Sequence, residues 1–299
     1  METKITKYFY FLAAAALFLC AMPPASIAAE ETKTLTITKD DLGSADEFDL
    51  SFAIGGAKVT IIHSDSTDVI VQAFITYDSS GPEPDLDTSI SGETLNAVFK
   101  SGYETDFNYN QFPDMQEWEI TIGTYDIDTD VSIYGGGVLG DIDLGGLPLR
   151  NCILTLGGVR VNVDFSTPTT RQVEKLYVIG GGMVLSMANI GNTDFEEFNM
   201  TGGGFVADLD FEGDYESEQH NVSIMGGGNQ LVIAVPSDAG EKVEILAVGA
   251  LAFVRGTGWR TTLNLFFLQN HITSDYESQS TKINMGIIVA GSIVAVNRD

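Results

Sequence analysis

Apolar and polar residues alternate on both sides of a short glycine cluster, and this arrangement occurs five times between residues 131 and 235. The first segment reads VSIYGGGVLGDIDL from Val131, and the fourth reads FNMTGGGFVADLDF from Phe198. A period of two is typical of β-strands with one buried face, whereas amphipathic helices repeat about every 3.6 residues. Each segment therefore predicts two short strands separated by a bend.

The five segments recur at a nearly constant interval along the chain. When they are aligned on Gly135, Gly158, Gly180, Gly202 and Gly226, the steps are 23, 22, 22 and 24 residues. Regular repeats of roughly 20–50 residues indicate stacked units, each too small to bury its apolar face alone. In this alignment, one inward column contains Ile142, Phe165, Met187, Leu209 and Ile233.

This pattern predicts an all-β fold, a β-solenoid similar to a single-stranded β-helix, with coils of about 22–24 residues. The glycine clusters are predicted to form its corners, because a sharp bend requires backbone angles or close contacts that a Cβ forbids. A phosphate-binding loop is the alternative interpretation, but it requires a following helix, and no helical pattern follows these clusters. The terminal coils are expected to be atypical.

Residues 1–29 have the pattern of a secretory signal peptide. Lys4 and Lys7 precede an apolar run from Tyr8 to Met22, and small residues around Ser26 offer a cleavage point. The apolar run is shorter than the roughly 20 residues of a membrane-spanning helix. The sequence therefore predicts an exported protein that is extracellular, surface-located or periplasmic. A lipoprotein is the alternative, although Leu19 before Cys20 is not the small residue expected there.

Three further segments follow the signal. Residues 30–128 have strand periodicity without the full glycine cluster, and we expect them to continue and cap the solenoid. Residues 129–240 contain the regular coils. Residues 241–299 contain degenerate coils, an insertion at Thr261–His271 and a last coil at Ile283–Val296. That last coil is too short to span a bilayer, so no transmembrane segment is expected after signal cleavage.

The chain has 15 Lys and Arg against 42 Asp and Glu, a net charge of −27. Such a surface repels phosphates and anionic lipids, so we expect no nucleic-acid partner. It favours solubility, cations or basic partners. Cys152 is the one cysteine that remains after signal removal, and its place beside a strand predicts a buried thiol.

Acidic residues recur at the outward positions of the coils. Asp141, Asp164 and Asp208 share one predicted column, and Asp143 and Asp210 share the next. Ca²⁺ takes about six to eight oxygen ligands and could bridge such a ladder, so calcium is the candidate cofactor and these five residues its candidate ligands. The alternative is solvated acid that keeps this face soluble and discourages sheet pairing.

The residues that could act in catalysis or in aromatic contacts are less clustered in the sequence than the acidic residues. His63, His220 and His271 are scattered, so no catalytic residues are predicted, and an enzyme acting on polysaccharides is the third interpretation. Tyr134 and Tyr177 take outward positions near the glycines. Aromatic residues crowd the polar segment 102–116 and Trp118, where they could contact glycans or proteins or pack beneath a surface excursion.

Several features together resemble a known family. They are the Gly-Gly strand pair from Ile54 to Ile62, the strand at Trp118, the coil from Asp141 to Leu149, the segment from Asn192 to Phe198 and the coil end from Asp208 to Phe211. Over residues 45–250 the chain resembles the bacterial and archaeal toast-rack and candidate-adhesin β-solenoid domains. Their relatives include the extracytoplasmic part of LiaF-like cell-envelope stress proteins.

The resemblance implies an all-β solenoid outside the cytoplasmic membrane, without known catalysis, acting in adhesion or regulatory contacts at the envelope. It supplies no catalytic or binding residues. The chain departs from the LiaF-like arrangement, because a signal peptide stands where a membrane-spanning bundle is found.

We therefore expect a non-enzymatic exported solenoid that acts in adhesion, scaffolding or contact with an envelope protein or glycan. A calcium- or glycan-binding module is the alternative. A homo-oligomer formed through the solenoid ends is a further expectation.

Overall fold

The computed structural model describes residues 29–102, 115–265 and 267–298. These residues form 23 β-strands, one short α-helix (α1, Lys39–Leu42) and a 3-10 helix (Ile190–Thr193). The predicted signal at 1–29 and the excursion at 102–116 lie almost entirely outside the described residues. The strands are β1 (Glu30–Thr38), β2 (Glu47–Gly55), β3 (Ala57–His63), β4 (Val69–Asp78), β5 (Asp85–Ser91), β6 (Thr94–Lys100), β7 (Gln116–Ile122), β8 (Asp128–Gly136), β9 (Leu139–Asp143), β10 (Leu149–Gly157), β11 (Arg160–Asp164), β12 (Lys175–Gly181), β13 (Val184–Ala188), β14 (Glu197–Gly203), β15 (Val206–Asp210), β16 (Gln219–Gly227), β17 (Gln230–Val235), β18 (Gly240–Val248), β19 (Leu251–Gly256), β20 (Trp259–Leu265), β21 (Leu268–Thr273), β22 (Lys282–Ala290) and β23 (Ile293–Arg298).

The strands form two large, mostly parallel sheets that face each other. Sheet A has eleven strands in the order β1-β4-β7-β3-β9-β11-β13-β15-β17-β23-β19. Sheet B has twelve strands in the order β20-β21-β18-β22-β16-β14-β12-β10-β8-β2-β6-β5. In each central coil the chain runs along sheet B, turns, and returns along sheet A. The all-β class is therefore confirmed, and the arrangement is β-solenoid-like.

The hydrophobic core lies between the two sheets. Burial alternates along the strands as the sequence predicts, and β2 reads half-buried, buried, half-buried, buried throughout. Large side chains such as Phe48, Phe52 and Trp118 are almost completely buried there. The inward column after the corners contains Ile142, Val163, Met187, Leu209 and Ile233. The prediction was wrong in placing Phe165 in this column, although that side chain is buried two residues further along.

The same two-residue error affects the alignment of the glycines. Gly135 pairs with Leu156, and Leu156 pairs with Gly180, so Gly158 is not equivalent to Gly135. In register, the steps are 21, 24, 22 and 24 residues. The reason is that the last glycine of each cluster, and not the first, occupies the fixed position before sheet A.

This last glycine has a positive φ in all eight described connections from sheet B to sheet A. At Gly182, for example, φ is +64°, and an added Cβ would meet only the Gly158 nitrogen, at an unstrained 3.8 Å, so the backbone angle is what disfavours other residues. The first glycine has a different role: at Gly180 a Cβ would lie 1.7 Å from the Leu156 carbonyl oxygen. The eight residues with positive φ are Gly56, Gly137, Gly158, Gly182, Gly204, Gly228, Gly249 and Gly291.

Both ends of the stack depart from sequence order. Beyond β2 and β3 lie β6 and β7, followed by the antiparallel strands β5, β4 and β1. At the other end, β22 and β23 insert between the β16–β17 coil and the β18–β19 coil. The segment Ile283–Val296, predicted as the last coil, is therefore an interior coil. The insertion at Thr261–His271 forms much of the hairpin β20–β21, which pairs antiparallel with β18.

Candidate functional site

Two columns of mostly exposed residues flank seven of the eight corner glycines, from Gly137 onward. Both are outward positions, one just before the corner on sheet B and one just after it on sheet A. We call these columns, with the corner glycines between them, the glycine ridge. The sheet B column is Tyr134, Thr155, Ile179, Thr201, Met225, Ile288 and Leu246, and the sheet A column is Leu139, Arg160, Val184, Val206, Gln230, Ile293 and Leu251.

The glycine ridge is apolar and free of acid in a strongly acidic protein. Ile179 is 45% exposed, Val184 40% and Val206 44%, although large aliphatic side chains are usually buried. None of the fourteen flanking residues is Asp or Glu, and Arg160 is the single charged one. At corners with three consecutive glycines, such as Gly180–Gly182, no side chain covers the turn, so the ridge presents bare backbone there, bordered by apolar groups. Contiguous exposed apolar surface of this kind marks interaction sites.

A shallow groove of about 480 Å³ runs along the outer face of sheet A beside the ridge. Val184 and Val206 form its apolar side, and Arg160 and Asp208 contribute its charges. The groove therefore combines apolar contact area with one positive and one negative group.

The predicted acidic ladder is rearranged by the register correction. Asp141 lies beside Asn162, and Asp164 lies beside Asp143, so the prediction that Asp141 and Asp164 share a column was wrong. Asp208 lies between Ser186 and Val232, and Asp210 lies beside Ala234. Asp143 and Asp164 are thus the one pair of these five that occupies neighbouring register positions.

Most of these carboxylates accept local hydrogen bonds. The Asn162 amide donates to Asp141 Oδ1 at 2.7 Å, and the Asn189 amide donates to Asp164 Oδ1 at 2.8 Å. The Ser166 hydroxyl donates to Asp143 Oδ2 at 2.6 Å. Within residues 29–102, 115–265 and 267–298, no group of three or more His, Cys, Asp or Glu is arranged to hold a metal ion. Calcium binding stays a prediction.

A charged cluster on the outer face of sheet B escaped the sequence analysis. The Arg150 guanidinium donates to both oxygens of Asp130 at 2.9 Å and to Glu47 Oε1 at 2.6 Å. Asp49 pairs in register with Asp130, and burial, reinforced by that neighbouring charge, raises the pKa of Asp49. Glu47 and Arg150 are 103 residues apart, so no local spacing could reveal this contact.

The three histidines lie far apart in the sequence and have different partners. His63 Nε2 lies 3.2 Å from the Thr124 hydroxyl, near the end of β3. His220 is fully buried, and its two ring nitrogens lie 2.5 Å from the Phe195 carbonyl oxygen and 3.1 Å from that of Ser217. Burial lowers the pKa of His271, which lies on β21. The Thr124 contact joins the end of β3 to the segment after β7, and the Phe195 contact joins β16 to the preceding coil.

The aromatic residues considered in the sequence analysis lie in different environments. Tyr134 is 47% exposed on the glycine ridge, whereas the Tyr177 hydroxyl donates to Glu197 Oε2 at 3.1 Å. Trp118 is buried, and its indole donates to Gln116 Oε1, so it belongs to the core and not to an exposed aromatic strip. The aromatic residues between 103 and 114 lie outside the described residues. Cys152 is fully buried, and burial raises its pKa to about 12.

The fold and the ridge define an all-β, β-solenoid-like protein with an exposed apolar candidate surface. Residues 26–181, just over half of the chain, match the family described as the N-terminal domain of toast_rack, DUF2154. The chain belongs to this toast-rack family, which confirms the resemblance noted in the sequence.

Solved structures with similar topology share little sequence with the chain. A candidate cell adhesion protein from Clostridium sporogenes is 14% identical with a TM-score of 0.46, and the match covers 91% of this chain and 100% of that one. A candidate adhesin from Parabacteroides merdae is 12% identical with a TM-score of 0.31, covering 89% and 95%. Among curated proteins, none matches the sequence. In the part of the chain that the structure describes, no helix is both long and apolar enough to cross a membrane.

Proposed function

We propose that this protein is exported and acts without catalysis, as a contact module that binds a protein or glycan of the cell envelope through the glycine ridge. The observation that carries this proposal is the acid-free apolar ridge on a chain with a net charge of −27. A stack of coils with glycine corners repeats the same surface along its length, so an extended partner can be bound at several equivalent positions.

The physical basis is the contrast between the ridge and its surroundings. Acid elsewhere on the surface keeps the protein soluble and repels other acidic proteins. Along the ridge, desolvation is favourable, since Val184, Val206 and their neighbours already expose apolar area to water. At the triple-glycine corners, such as Gly202–Gly204, the backbone lies within reach of a partner because glycine has no side chain to cover it.

The experiment measures retention of fluorescently labelled protein, residues 30–299, on cell envelopes isolated from the source organism. We expect the wild type to be retained and the double variant Val184→Asp, Val206→Asp to lose at least about tenfold in affinity, because two new charges must be desolvated. Ile90→Asp is the matched control, since Ile90 is 63% exposed on β5, away from the ridge. Retention that is absent in the wild type, or unchanged in the ridge variant, contradicts the proposal.

Two treatments of the same envelopes identify the class of partner. Protease digestion of the envelopes should abolish retention if the partner is a protein and leave it unchanged if the partner is a glycan. Release of reducing sugar from the envelopes during incubation contradicts the non-enzymatic part of the proposal.

A second proposed function, cation binding, is favoured by the neighbouring positions of Asp143 and Asp164 on sheet A. The test is calorimetric titration of calcium into chelator-stripped protein. Saturable binding that is lost in Asp164→Asn and retained in Asp208→Asn supports a calcium site at the pair. A flat titration overturns it.

A further inference from the structure

Strand β19 ends sheet A with a free backbone edge. Among the described residues it pairs with β23 alone. The Leu251 N–H donates to the Ser292 carbonyl at 2.9 Å, so the backbone of Leu251 faces β23. Since backbone groups alternate in direction along a strand, Ala252 and Val254 direct theirs to the free side. Sheet B differs here, because the hairpin β20–β21 covers β18.

Of the features that usually protect an edge strand, the free edge carries only one charged side chain, Arg255. Residues 251–256 read LAFVRG, with no Pro, Asp or Glu. Leu251 is 59% exposed and Phe253 41% exposed, and the Arg255 guanidinium lies 5.3 Å above the Phe253 ring. Natural sheets protect exposed edges with proline, inward-pointing charge, bulges or a covering element. An apolar, uncovered edge is therefore available for pairing with another strand.

The hydrophobic core is also incompletely closed at this end. Ala252 and Val254 point inward from β19 but are only partly buried, as is Trp259 at the start of β20. The nearby Phe267 is 53% exposed. By contrast, inward residues of the interior coils, such as Leu209, are completely buried. A further strand beside β19 would complete the burial of this end.

The net charge of this end of the chain favours a second copy of the chain as the partner of the free β19 edge. Residues 241–299 contain five Lys and Arg and five Asp and Glu, a formal charge of zero. Since the whole chain carries −27 and residues 1–29 carry +1, residues 30–240 carry −28. The large negative charge of residues 30–240 opposes the approach of a second copy, whereas residues 241–299, with no net charge, do not. The opposite edge of sheet A, at β1, begins with Glu30 and Glu31.

We propose that a second copy of this chain docks on β19, with the two β19 strands antiparallel about a two-fold axis. The free backbone groups of Ala252 and Val254 then pair with those of the second copy, and the two A sheets become one continuous sheet. Phe253 lies opposite the same residue of the second copy at a non-hydrogen-bonded position, where Cα atoms are about 4.5 Å apart. Self-association is independent of the proposed envelope contact, because it requires no other partner.

Light scattering of the purified protein, residues 30–299, over a range of concentrations tests the proposal. We expect twice the mass of one chain for the wild type and one chain for Phe253→Glu. Val254→Pro should have the same effect, since it removes an N–H from the free side and leaves the β19–β23 hydrogen bonds intact. Phe74→Glu is the matched control, because Phe74 is 44% exposed on β4 at the other end of sheet A. Thermal melts verify that the variants are folded.

Cross-linking tests the geometry separately. Phe253→Cys should form an intermolecular disulfide on mild oxidation, because the expected Cα separation lies within the range of disulfides. Phe74→Cys should not, and the buried Cys152 does not interfere. A wild type with the mass of one chain at all concentrations overturns the proposal. A doubled mass that persists in both Phe253→Glu and Val254→Pro overturns it as well, and failure of the Phe253→Cys cross-link excludes the two-fold pairing.

Discussion

Arg298 on β23 lies against the carboxyl group of Glu241 on β18, between the two sheets, with 3.1 Å between Arg298 Nε and Glu241 Oε2. Glu241 is completely buried and Arg298 nearly so. Arg298 also donates to Asp275 Oδ2 at 3.2 Å and to the Ser237 carbonyl at 2.7 Å. Neither Glu241 oxygen has an aligned hydrogen bond among the described residues. The contact therefore joins β18, β23 and the Asp275 loop. At its centre the buried Glu241 carboxyl group lacks aligned hydrogen bonds.

The first prediction concerns pH. Burial raises the pKa of Glu241 from 4.5 to about 8, with Arg298 opposing the shift. Between these values the folded protein retains a proton that the unfolded chain has lost, so the free energy of unfolding falls as pH rises. The decrease is at most about 1.4 kcal/mol per pH unit from this group. Urea unfolding between pH 5.5 and 8 measures it, since most other carboxylates are already ionised there.

Glu241→Gln is the variant that isolates this contribution, because it cannot titrate. The unfolding free energy of the variant minus that of the wild type should increase from pH 5.5 to pH 8, because only the wild type loses stability over this range. A difference that stays constant across this range would show that Glu241 is already ionised at pH 5.5.

The second prediction concerns the corner glycines. Gly182→Ala should lower the free energy of unfolding by about 1–2 kcal/mol, because alanine is strained at its φ of +64°. Gly157→Ala is the control: its Cβ meets no atom within 4 Å and its φ is not positive, so we expect a change below about 1 kcal/mol. Urea denaturation compares the two. Equal losses of unfolding free energy in the two variants would mean that backbone conformation does not explain why position 182 is glycine.

The third prediction tests the inward and outward faces of β15. Leu209 is completely buried, whereas its neighbour Asp208 is exposed. Leu209→Asp should cost more than about 4 kcal/mol, because an unpaired charge enters the core, and should abolish cooperative unfolding. Asp208→Asn should change stability by less than about 0.5 kcal/mol. The measurement is calorimetric unfolding of both variants, and similar melts would invalidate the assignment of the two faces.

The fourth prediction concerns Cys152. Its thiol is fully buried and its pKa is raised to about 12, so almost no reactive thiolate forms at neutral pH. A thiol reagent such as Ellman's reagent should label residues 30–299 only after unfolding. Ile90→Cys provides the control, since position 90 is exposed and should react at once. Rapid labelling of the native wild type would contradict the burial of Cys152.

Alternation along the strands was sufficient to predict the fold class and most of the core. The register required more information than alternation provides. The first segment has three glycines and the second has two, and the strand pairing together with the positive φ of Gly158 shows that the last glycine is the common position. Aligning the first glycines shifts Phe165 and Asp164 by two residues, which preserves their faces but changes their neighbours.

Contacts between distant parts of the chain could not be predicted in this way. Arg150 meets Glu47, and Arg298 meets Glu241, because of how strands stack and not because of local spacing. The glycine ridge could have been found. Ile179 and Val184 are outward positions on either side of one corner, and apolar residues recur at those positions in neighbouring coils.

The interior position of β22 and β23 determines the order in which the stack can be assembled. Among the described residues, β18 and β19 pair with the parallel stack through β22 and β23 alone. During synthesis, however, β18 to β21 leave the ribosome before β22 and β23. Coils up to β17 can add one after another, but the following four strands must wait for a segment made later. The C-terminal end of the stack can therefore be completed only after residues 282–298 have been synthesised.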